Sequence, residues 1–494
     1  MSSKRFAFKA VAFAAVVAAS LGVVGQAHAA VLIVINNINA AGVGFNDPTP
    51  VAAILPNPSI PGNPGNPGTT VGAQRLFAFT YAANIWGTTL TSSVPIIINA
   101  QFTPLSCTAT GGVLGSAGAT QVFRDFANVA PSPAPRPSTW YSFALANKIA
   151  GADLAGGAPS APQINSNFNS NLGTPGCLEA SGWYYGTDGN EGTLIDFVSV
   201  LLHEMGHGLG FQTFTSGSTG AVLSGFPSIW DHFLFSVAAG KNWVDATAAE
   251  RVASALSVNG LIWTGAAVTA AVPNVLRRGS AAVTISGVAA GAAAGLYLAG
   301  DSSLGPPVLG PSITGQVMPV SEQGAGTGSG CSPFNAANTL AVNGRIALID
   351  RGVCGFAVKA KNAQNAGAIG VVIANNQAGV LAPAGGDSTV TIPVLGITQA
   401  QGNTIKSAFT TRSRARSGVQ GTFGVSGTQY TGADPLGRMQ MFAPNPFQSG
   451  SSVSHFDSFA FRNQLMEPAI NADLTQSVVP PFDMTLPLFT DIGW

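Results

Sequence analysis

The chain has 494 residues and a formal net charge of zero, and only 9% of its residues are charged. That length exceeds one typical domain and is enough to bury a large core without cross-links. The charge balance argues against nucleic acid or an anionic membrane surface as the main partner, because both require a basic patch.

Lys4, Arg5 and Lys9 are followed by an uncharged apolar run from Ala10 to Gly25 and by Ala27-His28-Ala29, a small-x-small signal. The pattern is that of a secretory leader covering residues 1–29. The run is too short for a membrane span, which needs roughly 20 residues. The expected location is secreted or extracellular, with the periplasm as the variant for a two-membrane cell. Export implies oxidising conditions, so Cys107, Cys177, Cys331 and Cys354 read as two disulfides, for which three connectivities exist. Nearest-neighbour pairing gives Cys107–Cys177 and Cys331–Cys354. The absence of a C-x-x-C spacing argues against a cysteine zinc site.

Val31 to Ile35 predicts a first strand, and Pro56 to Gly68 is a Pro/Gly/Asn loop. Ala73 to Leu90 has helical spacing, Val94 to Phe102 reads as a buried strand, and Gln163 to Asn169 alternates as a strand does. Trp183 to Gly186 suits an edge strand. Asp188-Gly189-Asn190-Glu191 reads as a turn, because it lacks the alternating ligands of a calcium loop, and no other pattern supports calcium. Thr193 to Gly208 predicts an amphipathic helix. Leu194, Ile195, Val198, Leu201, Leu202 and Met205 fall on one side, and Asp196, Val200, His203, Glu204 and His207 on the other. Ala281 to Gly300 is uncharged but rich in small residues, and predicts two buried strands around a turn, not a span. Gly344–Asp350, Phe356–Ala366 and Ala368–Asn375 form a βαβ unit, followed by a strand at Ile392–Thr398. Lys359 and Lys361 on its helix are expected to face solvent.

The chemistry concentrates at His203, Glu204 and His207, an H-E-x-x-H sequence. On a helix, positions i and i+4 share a face, so both imidazoles can reach one ion. Zinc accepts neutral histidine nitrogen and tolerates an open coordination position. Glu204 beside a metal-activated water can act as general base. The expected cofactor is one catalytic Zn2+. Outside the leader, the remaining histidines are His232 and His455.

The extended stretch HEMGHGLGF resembles the metzincin metalloproteases, in which a glycine after the second histidine lets the chain turn below the metal. Thr213 stands where the compact metzincin pattern has its third histidine. One metzincin family, the leishmanolysins, places that histidine far downstream and follows it with a methionine turn. Ser454-His455-Phe456 and Leu465-Met466-Glu467-Pro468 resemble that arrangement, as does the terminal Asp491-Ile492-Gly493-Trp494. The resemblance implies His455 as third zinc ligand and Met466 as the floor of the site. A carboxylate ligand from Asp231 or Glu250 is the alternative, while His232 reads as a core histidine beside aromatics. Gly344 to Asn376 resembles a protease-associated (PA) domain, an accessory module that in several cases carries a disulfide placed like Cys331–Cys354.

Together these imply an α+β fold, with a zincin/metzincin-like catalytic domain split by an inserted α/β PA domain. The expected boundaries are 30–274 for the first catalytic part, 275–425 for the insert and 426–494 for the second part. The implied activity is zinc-dependent endopeptidase hydrolysis of protein or peptide substrates. A catalytically silent zinc-containing extracellular binding protein, acting through the PA domain, is the alternative.

Overall fold

The computed structural model describes residues 30–494 except 110, 127–134, 158–159, 180, 322–327, 378, 384, 386, 388 and 472. The expected leader, residues 1–29, lies outside the described residues.

The chain first builds a four-stranded sheet from β1 (Ile33–Asn37), β2 (Ile96–Thr103), β3 (Gly115–Ala119) and β4 (Ile164–Asn169), in the order β1-β2-β4-β3. The first three strands in that order run parallel, and β3 pairs antiparallel with β4 at the edge. Helix α1 (Val71–Thr89) packs on this sheet, and its Thr70 side chain caps it by accepting from Ala73 N. The disulfide Cys107–Cys177 ties the segment before β3 to the loop after β4.

Helix α2 (Phe197–Leu209) carries the H-E-x-x-H sequence. It begins later than the periodicity suggests. Asp196 accepts from the backbone N–H of Val198 and Ser199 and so caps the helix, which leaves Leu194 and Ile195 ahead of it. The two-sided pattern also misleads, because every residue of α2 is buried. Trp86 on α1 donates its indole N–H to Leu202 O, at 3.2 Å. The opposite flank is closed by residues from the far end of the chain. Gly206 makes that approach feasible: a β-carbon there would lie 2.8 Å from Met466 Sδ.

Residues 278–430 form a separate body. Its seven-stranded sheet has the order β6-β5-β11-β7-β8-β9-β10. The strands are β5 (Arg278–Ser286), β6 (Gly295–Leu298), β7 (Thr314–Pro319), β8 (Ile346–Asp350), β9 (Gly370–Ala374), β10 (Val394–Ile397) and β11 (Gln420–Tyr430). Helix α3 (Phe356–Asn365) crosses over between the parallel strands β8 and β9. The buried apolar residues of this body lie between Ala281 and Phe423. Those of the rest of the chain lie at or before Leu276 and from Ala433 onward. The entry and exit of the body touch, with Thr431 N donating to Arg277 O at 3.0 Å. A long insertion therefore leaves the flanking segments adjacent.

Three expectations need correction here. The boundary at 425 cuts β11, which continues to Tyr430 and pairs with Arg278. Of the two strands expected in 281–300, β6 is largely exposed at Leu296 and Leu298, because it is the sheet edge. Lys359 does not face solvent: it is fully buried and donates to Ser329 O and Gly352 O beside the Cys331–Cys354 disulfide. The α3 face on which it lies packs against the disulfide loop, whose carbonyls replace its water. Among the described residues no helix is long and apolar enough to cross a membrane.

Excised residues 277–431 should fold cooperatively. Shortening that piece to end at 425 should lower its melting temperature by at least about 5 °C through loss of the last β11 pairs. Equal melting curves for the two lengths would show that the end of β11 adds nothing to this body.

Candidate metal centre

The end of α2 sets the geometry. Gly210 has φ +129°, a conformation that suits glycine, and turns the chain back so that Phe211 O faces its own helix. His207 Nδ1–H donates to that oxygen at 2.8 Å. His203 Nδ1–H donates to Leu465 O at 2.7 Å, and His455 Nδ1–H to Ser451 O at 2.7 Å. With Nδ1 protonated, each neutral ring directs a bare Nε2 lone pair the other way. The three Nε2 atoms converge, at 3.1 Å for His203–His207, 3.2 Å for His207–His455 and 3.3 Å for His203–His455. Burial, first, holds His203 down at about 4 and His207 at about 3, and His455 well below the usual imidazole range, so all three are neutral at pH 7.

Three lone pairs aimed at one point repel each other unless a cation sits between them. Tetrahedral zinc with Zn–N of about 2.0–2.1 Å places its nitrogen ligands about 3.3–3.4 Å apart, close to the spacing found. The donor set, its spacing and its fixed tautomers fit zinc. Among the described residues, no other group of His, Cys, Asp or Glu side chains comes together in this way.

Glu204 is buried on the same helix and lines the same cleft, of about 1170 Å³. Burial pushes its carboxyl up to about 8, partly opposed by a hydrogen bond from the Ala117 backbone. The edge strand β3 lies directly against it: a β-carbon at Gly115 would stand 2.9 Å from Glu204 Cγ. Met466 is fully buried beneath the helix, and its carbonyl accepts from Phe456 N, next to His455.

The alternative ligands lie elsewhere. Asp231 is buried but engaged, accepting from Thr213 Oγ1, Thr215 Oγ1 and Ser228 N at 2.7, 2.6 and 2.7 Å. It fixes the loop after α2, and Thr213 serves that loop. His232 bonds Thr139 Oγ1 at 3.1 Å. Glu250 completes a capping box with Thr247 and pairs with Lys241 at 2.9 Å. Asp188 accepts from the nearby Tyr184 OH and from the Nδ2 of the sequence-distant Asn57.

Sequence reading missed two positioning residues. Asp483 accepts from Leu465 N at 2.7 Å, and Glu467 accepts from Gln464 N at 2.8 Å. Both are buried, and together they hold the turn that presents Leu465 O to His203. Asp483 lies in no motif, and although Glu467 lies in the Leu465–Pro468 stretch, nothing there marks its carboxylate as a brace.

A PA-domain family model matches residues 313–405. The inserted body contains a PA domain. Among curated proteins, ER degradation-enhancing alpha-mannosidase-like protein 3 of Xenopus laevis is 43% identical over 91 residues, which is 16% of this chain and 10% of that protein. A probable lipoprotein aminopeptidase, LpqL, of Mycobacterium tuberculosis is 36% identical over 104 residues, 21% of this chain and 20% of that protein. The chain thus spans a fifth or less of the curated relatives it matches. Among solved structures, an aminopeptidase from Aneurinibacillus sp. strain AM-1 aligns with TM-score 0.23 and 22% identity over 31% of this chain and 32% of that one. The zinc aminopeptidase BSAP of Bacillus subtilis aligns with TM-score 0.22 and 22% identity, over 33% and 35%. At these scores the function of the remaining chain has to be read from its own site.

His455→Ala should weaken zinc binding by at least about a hundredfold, since even an outer partner of a zinc ligand contributes 10–100-fold. Asp231→Asn, His232→Ala and Glu250→Gln should retain full zinc. Metal analysis of the purified variants checks this, and full zinc in His455→Ala would remove that residue from the site.

Proposed function

We propose that this chain is a secreted zinc endopeptidase of the metzincin type, with His203, His207 and His455 holding the metal and Glu204 as general base. The observation that carries this reading is the convergence of three lone-pair-bearing Nε2 atoms next to a buried carboxylate in an open cleft. Zinc held there supplies Lewis acidity toward water and toward a peptide carbonyl.

The chain's own residues supply the rest. Glu204, ionised beside a dication, takes a proton from the attacking water and returns it to the leaving amine. The backbone of Ala117 steadies that carboxylate. Gly115, Ser116 and Ala117 line the cleft on the edge strand β3, whose outer side has no partner strand among the described residues and suits an extended substrate. The opposite wall runs through Phe447 and Ser449 to Ser454. A cleft walled on both sides of the histidines suits a bond inside a chain. The Gly210 turn, the distant His455 and the buried Met466 support the leishmanolysin-like form. Two disulfides suit an exported protein.

Glu204→Gln should lower kcat by about 10³-fold or more, about 4 kcal/mol of transition-state stabilisation, while zinc content stays full. Cleavage of casein by the zinc-loaded variant at near wild-type rate would remove Glu204 as the base. Gly115→Ala should push Glu204 aside and lower kcat by about tenfold or more, again with zinc retained. An unchanged kcat in that variant would show that the base tolerates displacement by a methyl group.

A further inference from the structure

A second cavity, of about 790 Å³, lies where the PA domain meets the C-terminal part of the chain. On the PA side it is lined by Leu296 and Leu298 of β6 and by Val380, and on the other side by Phe459. All four are large apolar side chains left substantially exposed, by 54%, 49%, 38% and 38%. Scattered single apolar residues at a surface need no explanation, but four facing one groove do. The two leucines stand two apart on a strand and so share a face. Tyr297 between them packs against the PA core.

The groove has two more properties. β6 ends its sheet, and its outer edge is already in part engaged: Leu298 O accepts from Gln401 Nε2 at 3.3 Å, and Gly300 just beyond the strand bridges to Gly396. Among the described residues no lysine or arginine lines the cavity, and its Asp301 is paired with Arg277. Those features suit neither phosphate nor nucleic acid. They suit an extended apolar polypeptide, which seats alternate side chains on apolar surface.

The position of the groove names the occupant. The catalytic cleft and this cavity share Glu467, Pro468, Ala469 and Asn471 as lining residues. Ala469 at the crest is exposed, and Glu467 below is locked by Gln464 N and Asn471 Nδ2. The two hollows therefore adjoin along Pro468 and Ala469, and the divide between them is held by those bonds.

We propose that the groove between β6 and Phe459 is an exosite that binds an apolar stretch of the same polypeptide whose scissile bond lies in the catalytic cleft. The inference rests on the endopeptidase reading and extends it: the protein selects unfolded, apolar-rich chains long enough to cross the Pro468–Ala469 partition. The groove acts on binding and leaves the bond-breaking groups untouched.

The test separates the two readings. Fluorescein-labelled, reduced and carboxymethylated α-lactalbumin is titrated with the Glu204→Gln protein and followed by anisotropy, so that no turnover is needed. Adding Leu296→Asp and Leu298→Asp should raise Kd by about tenfold or more, because carboxylates replace apolar contact. In the active protein, the same pair should lower the ratio of kcat/KM for α-lactalbumin to that for a quenched six-residue peptide by about tenfold. Leu296→Ser with Val380→Ser gives the same readouts if the aspartates prevent a normal melt. No binding by the Glu204→Gln protein, or a Kd and ratio unchanged by the substitutions, overturns the exosite. So does a dimer in sedimentation that the substitutions dissociate, since a second copy then fills the groove. Failure of the wild type to cleave either substrate removes the endopeptidase reading, while the anisotropy still decides the groove.

Discussion

The arrangement depends on three hydrogen bonds from imidazole Nδ1–H to backbone carbonyls. Leu465 O, Phe211 O and Ser451 O each fix one ring's tautomer and orientation, and so turn three Nε2 lone pairs to one point. A side-chain acceptor could swing away, whereas these carbonyls belong to turns that the core already holds. Burial adds the second half of the constraint by keeping the rings neutral, which is the state that binds a cation.

Each carbonyl has its own support. Phe211 O depends on the glycine turn at Gly210, and the loop beyond it is pinned by Asp231 through Thr213 and Thr215. Leu465 O depends on a turn braced by Asp483 and Glu467, and Met466 in that turn packs against α2 where Gly206 leaves room. Ser451 O belongs to the same local turn as His455. The PA domain enters this scheme through its neck. Because Thr431 meets Arg277, an insertion of more than a hundred residues does not separate the first catalytic segment from the one that carries His455. The same closeness brings the β6 edge to the far side of the Pro468–Ala469 partition.

How much of this the sequence displays depends on how local each signal is. The H-E-x-x-H pair and the strands at Ile33, Ile96 and Ile164 are short-range patterns, and they fall where periodicity and β-branched composition put them. The start of α2 is not legible from periodicity, because apolar spacing continues through Leu194 and Ile195, while a single side chain, Asp196, decides the cap. The amphipathic reading of that helix failed for a related reason. Its polar face is covered by residues from the distant C-terminal segment, and no helical period contains that information. The position of His455 came from a resemblance and not from spacing. The bracing roles of Asp483 and Glu467 and the burial of Lys359 follow from no pattern in the sequence. Their roles arise only when backbone groups remote in sequence need a partner.

The central claim is that His203, His207 and His455 together hold one zinc ion through Nε2. X-ray diffraction from crystals of the full chain, collected just above and just below the zinc absorption edge, tests it most directly. The account predicts one anomalous peak at about 2.0–2.1 Å from all three Nε2 atoms, beside the Glu204 carboxylate. A zinc peak coordinated by Asp231 or Glu250, or no peak among the three imidazoles after soaking in zinc, would contradict it.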